Sequence, residues 1–215
     1  MYGTRADVGV TTVAAALALA FRSLETTDVG LAELTARLSL SIADAAPRAA
    51  PSTNGENAGE HARHVAIQGT GAALVRRSDG VWTLAVRRGK TPAVSDAKAV
   101  TVALEAMRDR FAVSVAELGH QVNERTLAAF DVADRIVIVT EGAVPSLRGT
   151  QRVLRLCQRL NYPDEKMCVV VNRFDAPGAL PPADIAIALR REVYWKIPTG
   201  ATLDVAGLAA RLVER

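Results

Sequence analysis

Two stretches of this sequence leave the chain little freedom. Ile136-Val137-Ile138-Val139 and Cys168-Val169-Val170-Val171 are unbroken apolar runs, and a helical pattern over residues 146–160 lies between them. An alternating pattern marks a strand wet on one side, whereas a continuous one marks a strand covered on both faces. Two such strands joined through a helix make a right-handed crossover unit, which calls for a parallel sheet with helices on both sides. The rest of the second half keeps the same rhythm. Strand-like runs stand at 81–86, 112–116, 135–140, 167–172 and 193–197, with helical patterns at 95–110, 123–131, 182–191 and 203–213. The expected fold class is α/β, a three-layer arrangement around a mostly parallel twisted sheet, with no internal repeat.

The first half is less regular. A Gly/Thr-rich turn over 3–12 leads into an Ala/Leu-rich helix at 13–22, and a shorter helical pattern follows over 30–38. Residues 44–64 are rich in Ala, Pro, Ser, Asn and Gly with almost no large apolar side chains. That composition buries too little to offset the entropy of ordering, so it reads as a flexible insert within a single domain spanning 1–215.

Composition removes several function classes. The chain has 215 residues, 49% of them apolar, enough for a sizeable core. Its apolar runs are far too short to cross a bilayer, and no charged, apolar and cleavage-site sequence of a secretory signal opens it. The expected location is the cytoplasm. Cys157 and Cys168 fit no metal spacing and no disulfide framework, and read as small core residues in a reducing compartment. A net charge of +3 and 4% aromatic residues argue against nucleic acid as the main partner.

In open α/β sheets ligands gather at the carboxyl ends of the strands. Here those ends are 3–12, 117–123, 141–146, 172–175 and 198–201. The first holds Thr4-Arg5-Ala6-Asp7-Val8-Gly9-Val10-Thr11-Thr12 ahead of a helix. A phosphate loop needs small, permissive residues, a helix N-terminus, a lysine for the outer phosphates and a hydroxyl for Mg²⁺. Gly9, Thr11, Thr12 and the helix meet those needs. Val10 holds the lysine position and Thr4 the first glycine position. The simpler reading of the same residues is a turn whose Thr11 or Thr12 caps a helix.

The order of segments resembles the ParA/MinD group of deviant P-loop ATPases, and most of all its CpaE/TadZ pilus-assembly branch. The likeness rests on Thr4–Thr12, on Asp28-Val29-Gly30-Leu31-Ala32-Glu33-Leu34, on Glu117-Leu118-Gly119-His120 running through Ile136–Thr140, and on Val171-Asn172-Arg173-Phe174-Asp175. The resemblance implies that Arg5, Gly9, Val10, Thr11 and Thr12 line the phosphates of ATP, with Thr11 and Glu117 at Mg²⁺. It implies that Asp28 is the switch I aspartate that orients the attacking water, and that Glu117 stands at the switch II aspartate. Asn172 and Arg173, with Pro198 after Ile197, would flank the base. It also implies homodimers formed across the nucleotide faces, a pilus or type II/IV secretion machine as partner, and recruitment to the pole or the inner face of the membrane.

The departures matter as much. The principal cation is replaced by Val10, and Arg5, bulkier and planar, stands at the signature lysine. Thr26 replaces the first aspartate of the family's Asp-x-Asp, and the second strand is squeezed into about 23–27. Met1 falls inside the first strand, so a longer chain would restore that strand but not the lysine. The expected result is a degenerate ATP site with weak binding and little or no hydrolysis.

Other candidates have plainer readings. Asp131 and Asp134 suit a helix end and a strand entry better than a paired-carboxylate site. His61 and His64 lack a carboxylate or cysteine partner for a metal. His120 suits a loop or interface. Arg148, Arg152, Arg155 and Arg159 share one helix face, either solvated or set to meet an acidic partner, with DNA the weaker option. The amphipathic stretch 203–213 reads as core packing, with at most peripheral membrane contact.

Overall fold

A computed structural model describes residues 1–24, 28–34, 64–68, 70, 72–86, 96–200 and 205–214. In chain order the strands are β1 (Tyr2–Gly3), β2 (Val29–Glu33), β3 (His64–Ile67), β4 (Ala72–Arg76), β5 (Trp82–Val86), β6 (Val113–Glu117), β7 (Ile136–Thr140), β8 (Met167–Asn172) and β9 (Trp195–Ile197). The helices are α1 (Val10–Leu24), α2 (Ala97–Arg110), α3 (Glu124–Val132), α4 (Val144–Arg159), α5 (Pro182–Leu189) and α6 (Ala206–Val213).

Two ladders, β3-β4-β5-β2-β6 and β1-β7-β8-β9, make up the sheet. They are joined where β1 lies beside the end of β6. The Leu118 N–H donates to Met1 O (2.9 Å) and the Gly3 N–H donates to Gly119 O (2.8 Å). All pairs are parallel except β3–β4 and β4–β5. The expected three-layer α/β fold is what forms, and the two continuous runs are its interior strands: every residue of β7 and β8 is buried.

Alternation along the strands divides the core in two. Ile136 and Ile138 of β7, with Val169 and Val171 of β8, pack under α2, α3, α4 and α5. Val137 and Val139, with Cys168 and Val170, pack on the other face under α1 and α6. Helix starts follow local chemistry. Asp96 Oδ1 accepts from the Ala99 N–H (2.8 Å) to cap α2, and Asn123 Oδ1 accepts from the Thr126 N–H (3.0 Å) to cap α3. Pro145 occupies the first turn of α4, where its missing N–H costs nothing.

The first half departs from the sequence reading. Ser23 and Leu24 finish α1 instead of opening a strand, and the expected helix at 30–38 begins as strand β2. Gly30 and Ala32 disguise that strand. The small residue at 30 exists because α2 and its exit pack there: a Cβ on Gly30 would lie 2.6 Å from the Phe111 ring and 2.8 Å from Met107 Cε. The antiparallel β3–β4 hairpin has no counterpart in the sequence reading. Its small apolar residues, Ala66, Ala72 and Ala73, carry little strand signal. Of the insert expected at 44–64, all but His64, which opens β3, lies outside the described residues, as does Thr26. Cys157 and Cys168 are free and buried, and α6 seats Leu208 and Ala209 in the core.

Gly30→Ala is expected to destabilise the fold by about 1–3 kcal/mol through overpacking against Phe111 and Met107. Urea denaturation with an unchanged slope would check this.

Candidate functional site

The loop that leaves β1 is held from below and from one side. The Thr4 N–H donates to Val139 O (3.1 Å), and the Thr4 hydroxyl meets Thr140 (3.3 Å), which also receives the Thr150 hydroxyl (2.9 Å). Gly149 lets α4 close on this point, since a Cβ there would sit 2.9 Å from Thr4 O. Asp7 and Gly9 both have left-handed φ, +65° and +84°, so the chain turns twice in three residues. The Val13 N–H then donates to Gly9 O (2.9 Å), and α1 begins. The first N–H groups of α1 therefore point out of the helix end, where the dipole favours an anion.

The end of β8 fixes the same loop. Asn172, 7% exposed, donates from Nδ2 to Val8 O (2.9 Å) and accepts on Oδ1 from the Arg173 N–H (3.1 Å). A Cβ on Gly9 would lie 2.5 Å from that amide nitrogen, so glycine is required for both its φ and its space. Arg173 sits at φ +51°, which aims its side chain back over the loop. Its guanidinium donates to Asp7 O and pairs with the Glu141 carboxylate. Beyond it, the Phe174 N–H donates to Ile197 O (3.1 Å) and the Thr199 N–H to Asp175 Oδ1 (2.6 Å), which brings Pro198 to the Asn172 side of the site. Those hydrogen bonds from Thr199 hold the Asp175 carboxyl below its usual range.

On the other side of the helix N-terminus stand two carboxylates. The Thr11 hydroxyl donates to Glu117 Oε1 (2.6 Å), and Glu117 is 2% exposed. The β2–β6 register places Glu33 directly opposite Glu117. Glu33 is half-buried. Burial pushes its carboxyl up, the Glu117 charge adds to that, and Arg77 opposes it.

Thr11, Glu117, Gly9, Asn172, Arg173 and Pro198 thus gather around one helix end. Asp28 does not. It opens β2, where Arg76 reaches it at 3.5 Å, while the site lies at the far end of that strand. Five residues at about 3.3 Å each put it roughly 16 Å away along the sheet. The carboxylate that β2 delivers is Glu33, which the sequence reading passed over. Its signal was an acidic residue closing an apolar stretch. Glu141 was also missed, because only the left-handed backbone at Arg173 brings the two together. Arg5, Ala6 and Asp7 are exposed at the loop's tip, as are Thr11 and Thr12.

The residues meet the needs of magnesium and a triphosphate only in part. Helix end, turn and the Thr11–Glu117 pair suit a phosphate with Mg²⁺, which binds few carboxylates when phosphates complete its shell. Among the described residues no cluster of three or more His, Cys, Asp or Glu forms a stand-alone metal site. The charges do not suit a triphosphate. Val10 is 9% exposed and its isopropyl group is turned toward Gly3, whose Cβ would lie 3.2 Å from it. Arg173 is already paired, and Asp7, Glu33, Glu117 and Glu141 stand around the loop.

The remaining candidates take structural places. Asp131 accepts the Tyr162 hydroxyl, Asp134 pairs with Arg108 (3.3 Å), and His120 is exposed with its carbonyl bound by Tyr2. Arg148, Arg152, Arg155 and Arg159 are all exposed along α4. No described helix is long and apolar enough to cross a membrane.

Comparison with known proteins places this geometry on a familiar scaffold. No family model matches the chain, and no curated protein matches it. Solved structures do. A ParA family ATPase from Chlorobium tepidum superposes with a TM-score of 0.69 at 14% identity, covering 92% of this chain and 81% of its own. The MinD of the MinC:MinD cell division complex from Aquifex aeolicus gives 0.65 at 19% identity, covering 98% and 84%. Cobyrinic acid a,c-diamide synthase from Mycobacterium smegmatis, with bound ADP and magnesium, gives 0.64 at 17% identity, covering 98% and 89%. The chain has the ParA/MinD-type P-loop NTPase fold. Cell-division and biosynthetic proteins share it, so the fold alone does not choose a function.

Two substitutions probe the site. Asn172→Ala strips the partner from the buried Val8 carbonyl and is expected to cost about 1–3 kcal/mol, read by chemical denaturation. Glu33→Gln acts through pH. The folded chain holds the Glu33 proton more tightly than the unfolded chain, so stability falls as pH rises through the raised value. The variant should exceed the parent in stability at neutral pH and match it in acid, measured by urea midpoints from pH 4 to 7.

Proposed function

We propose that this protein is a CpaE/TadZ-like positioning and assembly factor of the ParA/MinD group, serving a pilus or type II/IV secretion machine. Its ATP site is degenerate, with weak binding and little or no hydrolysis. The observation that carries the reading is Val10: an apolar side chain packs into the core where the outer phosphates need a cation. Phosphoryl transfer depends almost wholly on positioning and charge stabilisation. Losing one well-placed donor costs on the order of 10²–10³ in rate, by analogy with oxyanion-hole donors.

In this reading Gly9, Thr11, Thr12 and the helix end form a weak phosphate cradle, with Thr11 and Glu117 at the magnesium edge. Asn172, Arg173 and Pro198 border the base. The protein acts as a homodimer whose nucleotide faces meet, and it works at the pole or inner face of the membrane without crossing it. Glu33 takes the place first assigned to Asp28. The intact Thr11–Glu117 pair favours the second reading, an active ATPase that switches between monomer and dimer.

Calorimetry with ATP and Mg²⁺, followed by light scattering with and without nucleotide, separates the two. The degenerate site predicts weak heats, turnover near background and a dimer that does not depend on nucleotide. Val10→Lys should tighten ATP binding by about 10–100-fold, the value of one charged hydrogen bond. Nucleotide-dependent dimerisation with turnover abolished by Glu117→Gln would establish the switching ATPase instead.

A further inference from the structure

At the carboxyl ends of β8 and β9, beside the phosphate loop, two loops are laced together. The Phe174 N–H donates to Ile197 O (3.1 Å). Asp175 accepts from the Thr199 N–H (2.6 Å) and from the Thr199 hydroxyl. The side chains that follow one another along this edge face different things. Asn172 has both ends of its amide engaged, Nδ2 on Val8 O and Oδ1 under the Arg173 N–H. Arg173 reaches Asp7 O and Glu141. Both are turned back to the loop that Asp7 and Val8 form, so the amide that the family likeness gives to the base is already in use. Asp175 is the exposed member of residues 172–175.

An ionised carboxylate accepts hydrogen bonds and donates none, with about four lone-pair directions. Thr199 fills part of that capacity and fixes where the group stands. The same bonds hold the acid below its usual range, so it is charged at neutral pH. Purine edges differ in the one respect such a group reads. Guanine sets two donors side by side, N1–H and the 2-amino group. Adenine sets its 6-amino donor beside the N1 lone pair, which a carboxylate repels. Hydrogen bonds to an ionised acceptor are the strong ones, and a site built to accept a donor rejects an analogue that lacks it.

We propose that this site takes a guanine nucleotide, and that Asp175 selects it by accepting from N1–H and the 2-amino group of the base. The inference rests on the reading of the loop between β1 and α1 as a phosphate cradle, and it names the base that goes with it. Two loops build the reader: β8 delivers the carboxylate, and β9 delivers the Thr199 groups that hold it. Ligands of open α/β sheets lie at this end of the strands. Weak ATP binding then reflects the wrong base as well as Val10. With Val10 at the outer position and carboxylates around the loop, a diphosphate suits the cradle better than a triphosphate.

The test is calorimetry on the full chain with Mg²⁺ and four probes: GDP, ADP, xanthosine diphosphate and inorganic pyrophosphate. GDP should bind at least about tenfold tighter than ADP, the value of one charge-assisted hydrogen bond. Asp175→Asn keeps an oxygen for the Thr199 N–H but offers the base an amino donor, which suits the 2-oxo group of xanthine. That variant should lose GDP affinity about tenfold or more and bind xanthosine diphosphate more tightly than GDP. Its affinity for pyrophosphate should not move. Equal binding of GDP and ADP by the parent chain, with pyrophosphate bound, would overturn the base assignment and leave the cradle standing. Binding of none of the four would overturn the cradle and the assignment with it. Equal loss of all four probes in Asp175→Asn would make Asp175 a brace for the loops and overturn its role as reader. The parent chain's preference between GDP and ADP needs no variant, so the proposal is decided even where Asp175→Asn fails to fold.

Discussion

Three residues join the two halves of the sheet. Met1, Tyr2 and Gly3 bond to Ala116, Leu118 and Gly119 on one side and to β7 on the other. β1 counts two residues where β6 and β7 each count five. Every element of the candidate site hangs from this narrow seam. Glu33 and Glu117 belong to one half, Asn172 and Arg173 to the other, and the loop between them grows directly out of Gly3. A shift of β1 by one residue would exchange its inward and outward faces, and with them the turn that Gly9 completes.

The loop takes its shape from side chains. Asn172 clasps Val8, Arg173 clasps Asp7, and the Thr4–Thr140–Thr150 hydroxyls fix the exit from β1. A phosphate loop that relied on its ligand for order would not need so many ties. This one is held in place by the protein's own groups, and Arg173, which reaches over it, is spent on Glu141 and a backbone carbonyl. Pre-organisation and charge therefore pull apart: the cradle is shaped for an anion and lined with carboxylates.

What the sequence made legible follows from the same physics. β7 and β8 announce themselves because both faces of each are buried, so their residues have no reason to be polar. The α/β class, the second-half element order and the gathering of Thr11, Glu117, Asn172 and Pro198 were readable from that pattern and from the family likeness. β2 was not, because Gly30 yields its side-chain space to Phe111 and Met107 and so removes the strand signal. The resemblance points to Asp28, whereas the acidic residue that β2 sets opposite Glu117 is Glu33, and pairing between strands about eighty residues apart is not a local property of either. Arg173 and Glu141 meet through a left-handed φ at a non-glycine residue, a conformation no local pattern foretells.

Met1 and the loop stand at the two ends of one short extended segment. Force applied at the Met1 end of β1 passes along a single extended strand to Gly3, and from there to the turn at Asp7 and Gly9. In a long, fully paired strand that force would be shared by many ladder bonds. Here few bonds stand between the two ends, so a change that displaces β1 displaces the loop with it. The geometry of β1 thus ties the sheet's centre to the position of the anion cradle, whatever the cradle holds.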